Sequence, residues 1–247
     1  MSQHYLLGAF VSLVAWSSTY IPATLHQSAG VQIGSTAQAQ VRWTPNPDRG
    51  SASSTLSGGR RGSSASGCGI DSQLSDPRIT LLVPDDAEGL TTQSQPTLSW
   101  YLESEQPADM EFVLSHPTKA TPVYRQQLSA QEGLVEMPLP ESAALETGVR
   151  YRWTVFLNCE GTDEKVHARS FVERIPESGL ADVNTMPPVE QADAYAERGI
   201  WYDALNTLIS SYRAEAQMST LLEIRNLLDQ ANTDVPLELY LATADAS

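Results

Sequence analysis

Charge is missing from the first 39 residues of this 247-residue chain, where no Asp, Glu, Lys or Arg occurs. Lysine is nearly absent throughout, present only at Lys119 and Lys165. With 30 Asp and Glu against 15 Lys and Arg the net charge is −15, and residues 68–247 alone carry 29 acidic and 11 basic side chains. So acidic a body repels phosphate polymers and anionic membrane, which excludes nucleic acid as the expected partner. Histidine is scarce: His4 and His26 near the start, then only His116 and His167, with no His-x3-His pair. No Gly-x-x-x-x-Gly-Lys-Ser/Thr and no Gly-x-Ser-x-Gly occurs, so neither a phosphate-cradling loop nor a nucleophile elbow is present. No metal and no cofactor is expected.

What stands in the uncharged stretch is an apolar run, Leu6–Trp16, too short to cross a bilayer but suited to the core of an export signal. Ala37 and Ala39 form an A-x-A site, so residues 1–39 read as a signal cleaved after Ala39, an uncleaved anchor being the alternative. The expected location is extracytoplasmic, periplasmic or secreted, with no stable membrane span after signal removal. That compartment permits disulfides, and the chain has two cysteines, Cys68 and Cys159.

Residues 40–75 are rich in Gly, Ser and Arg and read as a flexible leader, too poor in apolar surface to offset its ordering entropy. Residues 76–176 then show short strands separated by turn residues: Ile79–Val83, Pro96–Leu102, Glu111–Ser115, Val123–Leu128, Gly133–Pro138, Tyr151–Cys159 and Lys165–Arg174. The most regular is Tyr151–Cys159. Its odd positions Tyr151, Trp153, Val155 and Leu157 are apolar, and its even positions Arg152, Thr154 and Asn158 are polar, with Phe156 the exception. Such alternation means a strand with one buried face. Leu145 and Gly148 ahead of it suit a corner in which the Tyr151 hydroxyl reaches back to the preceding loop. About seven antiparallel strands predict an immunoglobulin- or fibronectin-like β-sandwich with Trp100 and Trp153 in its core. After a Pro-rich break the period turns helical. Residues 188–232 predict a helical hairpin, Val189–Arg198 and Ile200–Arg213, plus a third helix, Met218–Gln230. Residues 233–247 form a tail.

Several blocks carry a family resemblance: Gly67-Cys68-Gly69 closing the leader, Ile79-Thr-Leu-Leu-Val-Pro84, Pro96-Thr-Leu-Ser-Trp100, Gly148-x-x-Tyr151-x-Trp153 with Cys159, and Gly199-Ile-Trp-Tyr-Asp-Ala-Leu205. On these the chain resembles an exported, mostly cyanobacterial family known only as a domain of unknown function. The resemblance implies export, this architecture and a partner protein, and supplies no activity, cofactor or catalytic residue.

Cys68 and Cys159 read as a structural bridge from the leader to the sandwich; a loop of about 90 residues would restrict the unfolded chain by about 4–5 kcal/mol. Asp85, Asp86 and Glu88 lack the oxygen spacing of a calcium loop. Glu103 and Glu105 sit two apart at the end of a strand among polar neighbours and read as a solvated loop rather than a glycosidase pair. Trp201 and Tyr195 read as core aromatics, whereas Tyr202, off the helix stripe, is the expected surface contact for a partner. Asp203 is read as a helix-dipole residue and nothing more. The expectation is a non-enzymatic extracytoplasmic interaction protein meeting another envelope or secreted protein. The alternatives are an envelope-glycan-acting enzyme with carboxylates at the sandwich–helix junction, and a structural envelope component.

Overall fold

The computed structural model describes residues 40–46, 77–85, 87–159 and 165–236, with the backbone of 64–66. Its strands are β1 (Ser64–Ser66), β2 (Arg78–Leu81), β3 (Gly89–Thr91), β4 (Thr97–Glu103), β5 (Ala108–Ser115), β6 (Tyr124–Ala130), β7 (Gly133–Pro138), β8 (Arg150–Asn158) and β9 (Lys165–Arg174). One sheet has the order β1-β2-β4-β7 and the other β3-β9-β8-β5-β6. Neighbouring strands run antiparallel except β3, which is parallel to β9. The seven strands read from periodicity are all present. The count among the described residues is nine rather than seven, because β1 and β3, three residues each, are too short for a two-residue period to register.

Side chains of the two sheets meet in one core. Trp100 of β4 stacks on Phe112 of β5 with ring centroids 6.2 Å apart, and Trp153 of β8 lies 6.4 Å from Trp100. On β8 the alternation holds as expected, with Tyr151, Trp153, Val155 and Leu157 buried. The Tyr151 hydroxyl accepts the Glu146 N–H at 3.3 Å. Gly148 makes the turn between them with φ of 76°, a left-handed conformation that side-chain-bearing residues rarely adopt.

Three helices follow: α1 (Pro188–Ala196), α2 (Trp201–Glu215) and α3 (Met218–Gln230). Pro188 opens α1 at a position whose N–H would go unbonded anyway. The helices and sheets share one hydrophobic core, which runs from Trp100 and Trp153 to Leu205, Leu208 and Ile224. Trp201, at the start of α2, donates its indole N–H to the Leu82 carbonyl at 2.8 Å.

Residues 40–46 correct the expectation of a flexible leader over their length, because they are strapped across the helices. Val41 is fully buried and Trp43 meets Trp201 edge-on at 5.0 Å. Gln230 of α3 clamps the strap in both directions, accepting the Trp43 N–H at 2.8 Å and donating to the Val41 carbonyl at 2.8 Å. On α1, the Ala196 carbonyl takes the Thr44 N–H at 3.1 Å. Gly199, with φ of 72°, lies so close that a Cβ there would be 3.2 Å from the Asn46 backbone nitrogen. The export signal and its cleavage site lie outside the described residues.

Candidate functional site

The residue expected to meet a partner does not face solvent. Tyr202 is 2% exposed. Its hydroxyl accepts the Trp153 indole N–H at 2.9 Å and donates to the Phe171 carbonyl at 2.9 Å. Its ring packs so closely on β3 that a Cβ on Gly89 would sit 2.4 Å from it. The partner-contact role is therefore withdrawn: Tyr202 is a core residue joining α2 to β8 and β9. A helical stripe read at 3.6 residues per turn assumes one packing surface, whereas the start of α2 is wrapped by β3, β9 and the strap, so residues off the stripe are buried too.

Trp100, Tyr151, Trp153, Tyr195 and Trp201 are buried, as core residues should be. The Tyr195 hydroxyl donates to Asn184 Oδ1 at 2.9 Å. Cys159 is buried at the end of β8, and Cys68 lies outside the described residues. His116 is held in its turn, its Nδ1 accepting the Thr118 N–H at 3.2 Å and its ring edge-on to Tyr151 at 5.3 Å. Glu88 pairs with Arg150, and Asp86 lies outside the described residues. Among the described residues no three His, Cys, Asp or Glu side chains cluster as metal ligands.

Asp203 does more than complement a helix dipole. Its carboxylate reaches back to β3, where one oxygen accepts the Thr91 hydroxyl and the other accepts the Thr92 N–H, at 2.9 Å, and the Thr92 hydroxyl. Burial pushes this carboxyl up from the ordinary aspartate value, against the pull of those three hydrogen bonds. A shallow groove beside it, about 540 Å³, is lined mainly by amides and hydroxyls such as Gln93, Gln191, Asn206 and Ser210. With both oxygens committed to Thr91 and Thr92, Asp203 is a fastener between α2 and the sheet. The two-residue clue to this role, Thr91-Thr92, lay more than a hundred residues away and carried no local pattern.

The concave site with charge in it is on the outer face of the five-stranded sheet. Because side chains alternate across a strand, the even positions of β8 that oppose the Trp153 face point here: Arg150, Arg152, Thr154 and Phe156. Their register partners extend the face. Arg152 pairs with Phe171 and Thr154 with Arg169 on β9, while Val113 of β5 sits opposite Arg125 of β6. The loop after β5 supplies a wall at Pro117–Pro122, including Lys119. Together these line a groove of about 590 Å³ with five cations, Lys119, Arg125, Arg150, Arg152 and Lys165, and the carboxylate of Glu111; beyond that lining, Glu146 lies 4.0 Å from Lys119 and Glu88 pairs with Arg150. Glu111 is 4% exposed and is bracketed by Arg125 and by Lys165, whose Nζ lies 3.4 Å away. The Arg150 guanidinium lies 3.9 Å from the centre of the Phe171 ring and pairs with Glu88. Arg152 is exposed and carries no ion pair or hydrogen bond among the described residues. Phe156 rests against His167, ring centroids 5.4 Å apart. Burial and the neighbouring Arg169 hold the His167 imidazole below its ordinary pKa.

The signal for this face was in the sequence. Phe156, the one break in the alternation of β8, is the apolar ring of the groove, and Arg150 and Arg152 share its side. What the sequence could not supply was the neighbourhood: Lys119, Arg125 and Lys165 arrive from other strands and a loop.

No curated protein matches the chain in sequence. Residues 56–238, which span both sheets and all three helices apart from the strap, match the family described as Domain of Unknown Function (DUF928), and the chain belongs to that family.

Proposed function

We propose that this chain is a non-enzymatic, extracytoplasmic interaction protein of the cell envelope, and that its contact surface is the basic outer face of the five-stranded sheet. The observation that carries this reading is the inversion of charge. Residues 68–247 hold 29 acidic and 11 basic side chains, yet the groove keeps a cationic excess, five cations against Glu111 in its lining and Glu88 and Glu146 beside Arg150 and Lys119. Arg152 carries no ion pair among the described residues, so a partner of opposite charge meets a cation that no carboxylate of the chain neutralises.

The scaffold of the reading is an immunoglobulin-like sandwich. Strand order supports it: β2-β4-β7 opposite β9-β8-β5-β6, with β3 switching sheets to run parallel to β9, is the arrangement of that fold with a split first strand. The Tyr151 corner at the start of β8 supports it as well. Export by the apolar N-terminal run and a Cys68–Cys159 bridge belong to the same reading. Cys159 is not a free thiol, which favours the bridge. Two alkylatable thiols in unreduced protein from its native compartment would remove it.

Co-sedimentation with isolated envelope fractions tests the contact surface. The wild-type chain is expected to pellet with the envelope at low salt and to be released as screening shortens to about 3 Å at 1 M. A variant carrying Arg125→Glu and Arg152→Glu is expected to stay in solution. Equal, salt-independent sedimentation of both would overturn the reading.

A further inference from the structure

Resting on the assignment of the basic face as the contact surface, we propose that the groove holds a carboxylate-bearing polysaccharide, a chain of uronate-type sugars. Three observations favour this occupant over an acidic polypeptide or a nucleic acid.

The first is that the floor of the groove is the face of two central strands, β5 and β8. β5 lies between β6 and β8, and β8 between β5 and β9, so their backbone groups are committed to the ladders on either side. A peptide laid across this face would find no backbone partners for its own N–H and C=O groups, which strongly require pairing once water is displaced. A sugar chain carries no such row of obligatory groups. Its hydroxyls need only the side chains that are there, Ser115, Thr121 and Thr154 among them.

The second is the interleaving of rings with cations. Phe156 and Phe171 are both half-buried and both line the groove, with the Arg150 guanidinium over one face of Phe171. Phe171 lies between Arg150 in the chain-packed stack and Arg152 across the register. A uronate sugar presents both matching surfaces in one unit: an apolar C–H face to lie on an aromatic ring, and a carboxylate for a guanidinium to grip.

The third is reach. Side chains two apart on one face of a strand are about 6.7 Å apart, and four adjacent strands from β9 to β6 span about 14 Å. Cations distributed over that span address several charges of one polymer at once, and a single small anion could engage only part of the set. Nucleic acid satisfies the charge but packs it more densely, and the acidic remainder of the molecule repels it beyond the groove.

Titration calorimetry on the full-length chain tests this, with four probes: an oligogalacturonate, its methyl-esterified neutral form, polyglutamate and a single-stranded oligonucleotide. The expected result is binding of the oligogalacturonate, no detectable binding of the neutral form, and at least about tenfold weaker binding of the other two. Arg152→Glu, an exposed change, is expected to weaken oligogalacturonate binding about tenfold with the thermal midpoint unchanged; Lys119→Glu in the loop serves if that variant fails to fold. Phe156→Ala is expected to weaken the sugar ligand and leave polyglutamate binding unaltered. Polyglutamate or oligonucleotide binding as tight as the oligogalacturonate, or indifference of the sugar ligand to Phe156→Ala, would overturn the polysaccharide while leaving the basic face as a contact surface. Binding of none of the anionic probes, together with salt-independent sedimentation, would overturn both.

Discussion

A single phenol hydroxyl joins three elements of this molecule. The Tyr202 hydroxyl accepts a hydrogen bond from the Trp153 indole N–H and donates one to the Phe171 carbonyl, so α2, β8 and β9 are fixed to one another at one buried oxygen. Tyr202→Phe keeps the ring and orphans both partners, and is expected to cost about 1–3 kcal/mol by urea denaturation. Tyr202→Ala, which empties the site as well, is expected to cost about 3–5 kcal/mol, much the same as Trp153→Ala. The neighbouring Asp203 makes stability depend on pH. Its folded-state pKa is raised, chiefly by burial, so the folded chain holds that proton to a higher pH than the unfolded chain does. The contribution is full below the unfolded value of 3.8 and is lost as pH rises through the folded one. The charges and titratable groups around it are Glu177 and Tyr195, the former raising it further. Asp203→Asn is expected to flatten this fall whatever its effect on baseline stability, as urea midpoints measured from about pH 4 to 7 will show. An unchanged slope would mean that the carboxyl ionises alike in both states.

At the scale of elements, the strap and α2 depend on each other. Helix packing normally closes a layer with another helix or a sheet; here an extended segment of seven residues, 40–46, does it by seating Val41 and Trp43 on the helices. Gln230 substitutes for a neighbouring strand, its amide giving and taking one backbone hydrogen bond as a peptide group would. Gln230→Ala is expected to cost about 1–3 kcal/mol and to make the strap the first site of limited proteolysis. Proteolysis starting elsewhere at the wild-type rate would show that Trp43 and the bonds from Glu223, Asn226 and Ala196 hold the strap without Gln230. The three helices and all strands but β1 and β3 were legible, since each is long enough for its period to repeat. The strap was not: Val41 and Trp43 give only two apolar steps, and the Gly/Ser-rich residues after them dominate any average over the segment. Gly199 shows the same blindness from the other side. It could be read as a helix terminator, but its nearness to Asn46 depends on a chain segment more than 150 residues earlier.

At the scale of the whole molecule, the dominant feature is an acidic body with a basic groove on one sheet face. Two pairs illustrate how charge is distributed. Arg213 of α2 bonds Glu136 of β7, tying a helix to a sheet, and Arg78 of β2 lies 3.7 Å from Glu103 of β4, within one sheet. Neither points at the groove. Beside the groove, proton uptake by His167 and anion binding favour each other, because a cation added against Phe156 strengthens the attraction for a polyanion. Affinity for an anionic ligand is therefore expected to rise as pH falls below about 6.5, and His167→Gln is expected to abolish that rise when titrations are repeated across the range. A pH-independent affinity in the wild-type chain would exclude His167 from the contact.

The sequence by itself determined the seven longer strands and the three helices, the core aromatics Trp100, Tyr151, Trp153, Tyr195 and Trp201, and that the molecule as a whole is acidic. These are local or summed properties: a period repeated along a few residues, or a count over all of them. Only the tertiary structure decided that Tyr202 is enclosed, that Asp203 is spent on Thr91 and Thr92, and that five cations from four separate segments line one groove. Each of those facts depends on which distant residues become neighbours, and side-chain environment is a property of the contact, formed only when the chain has closed upon itself.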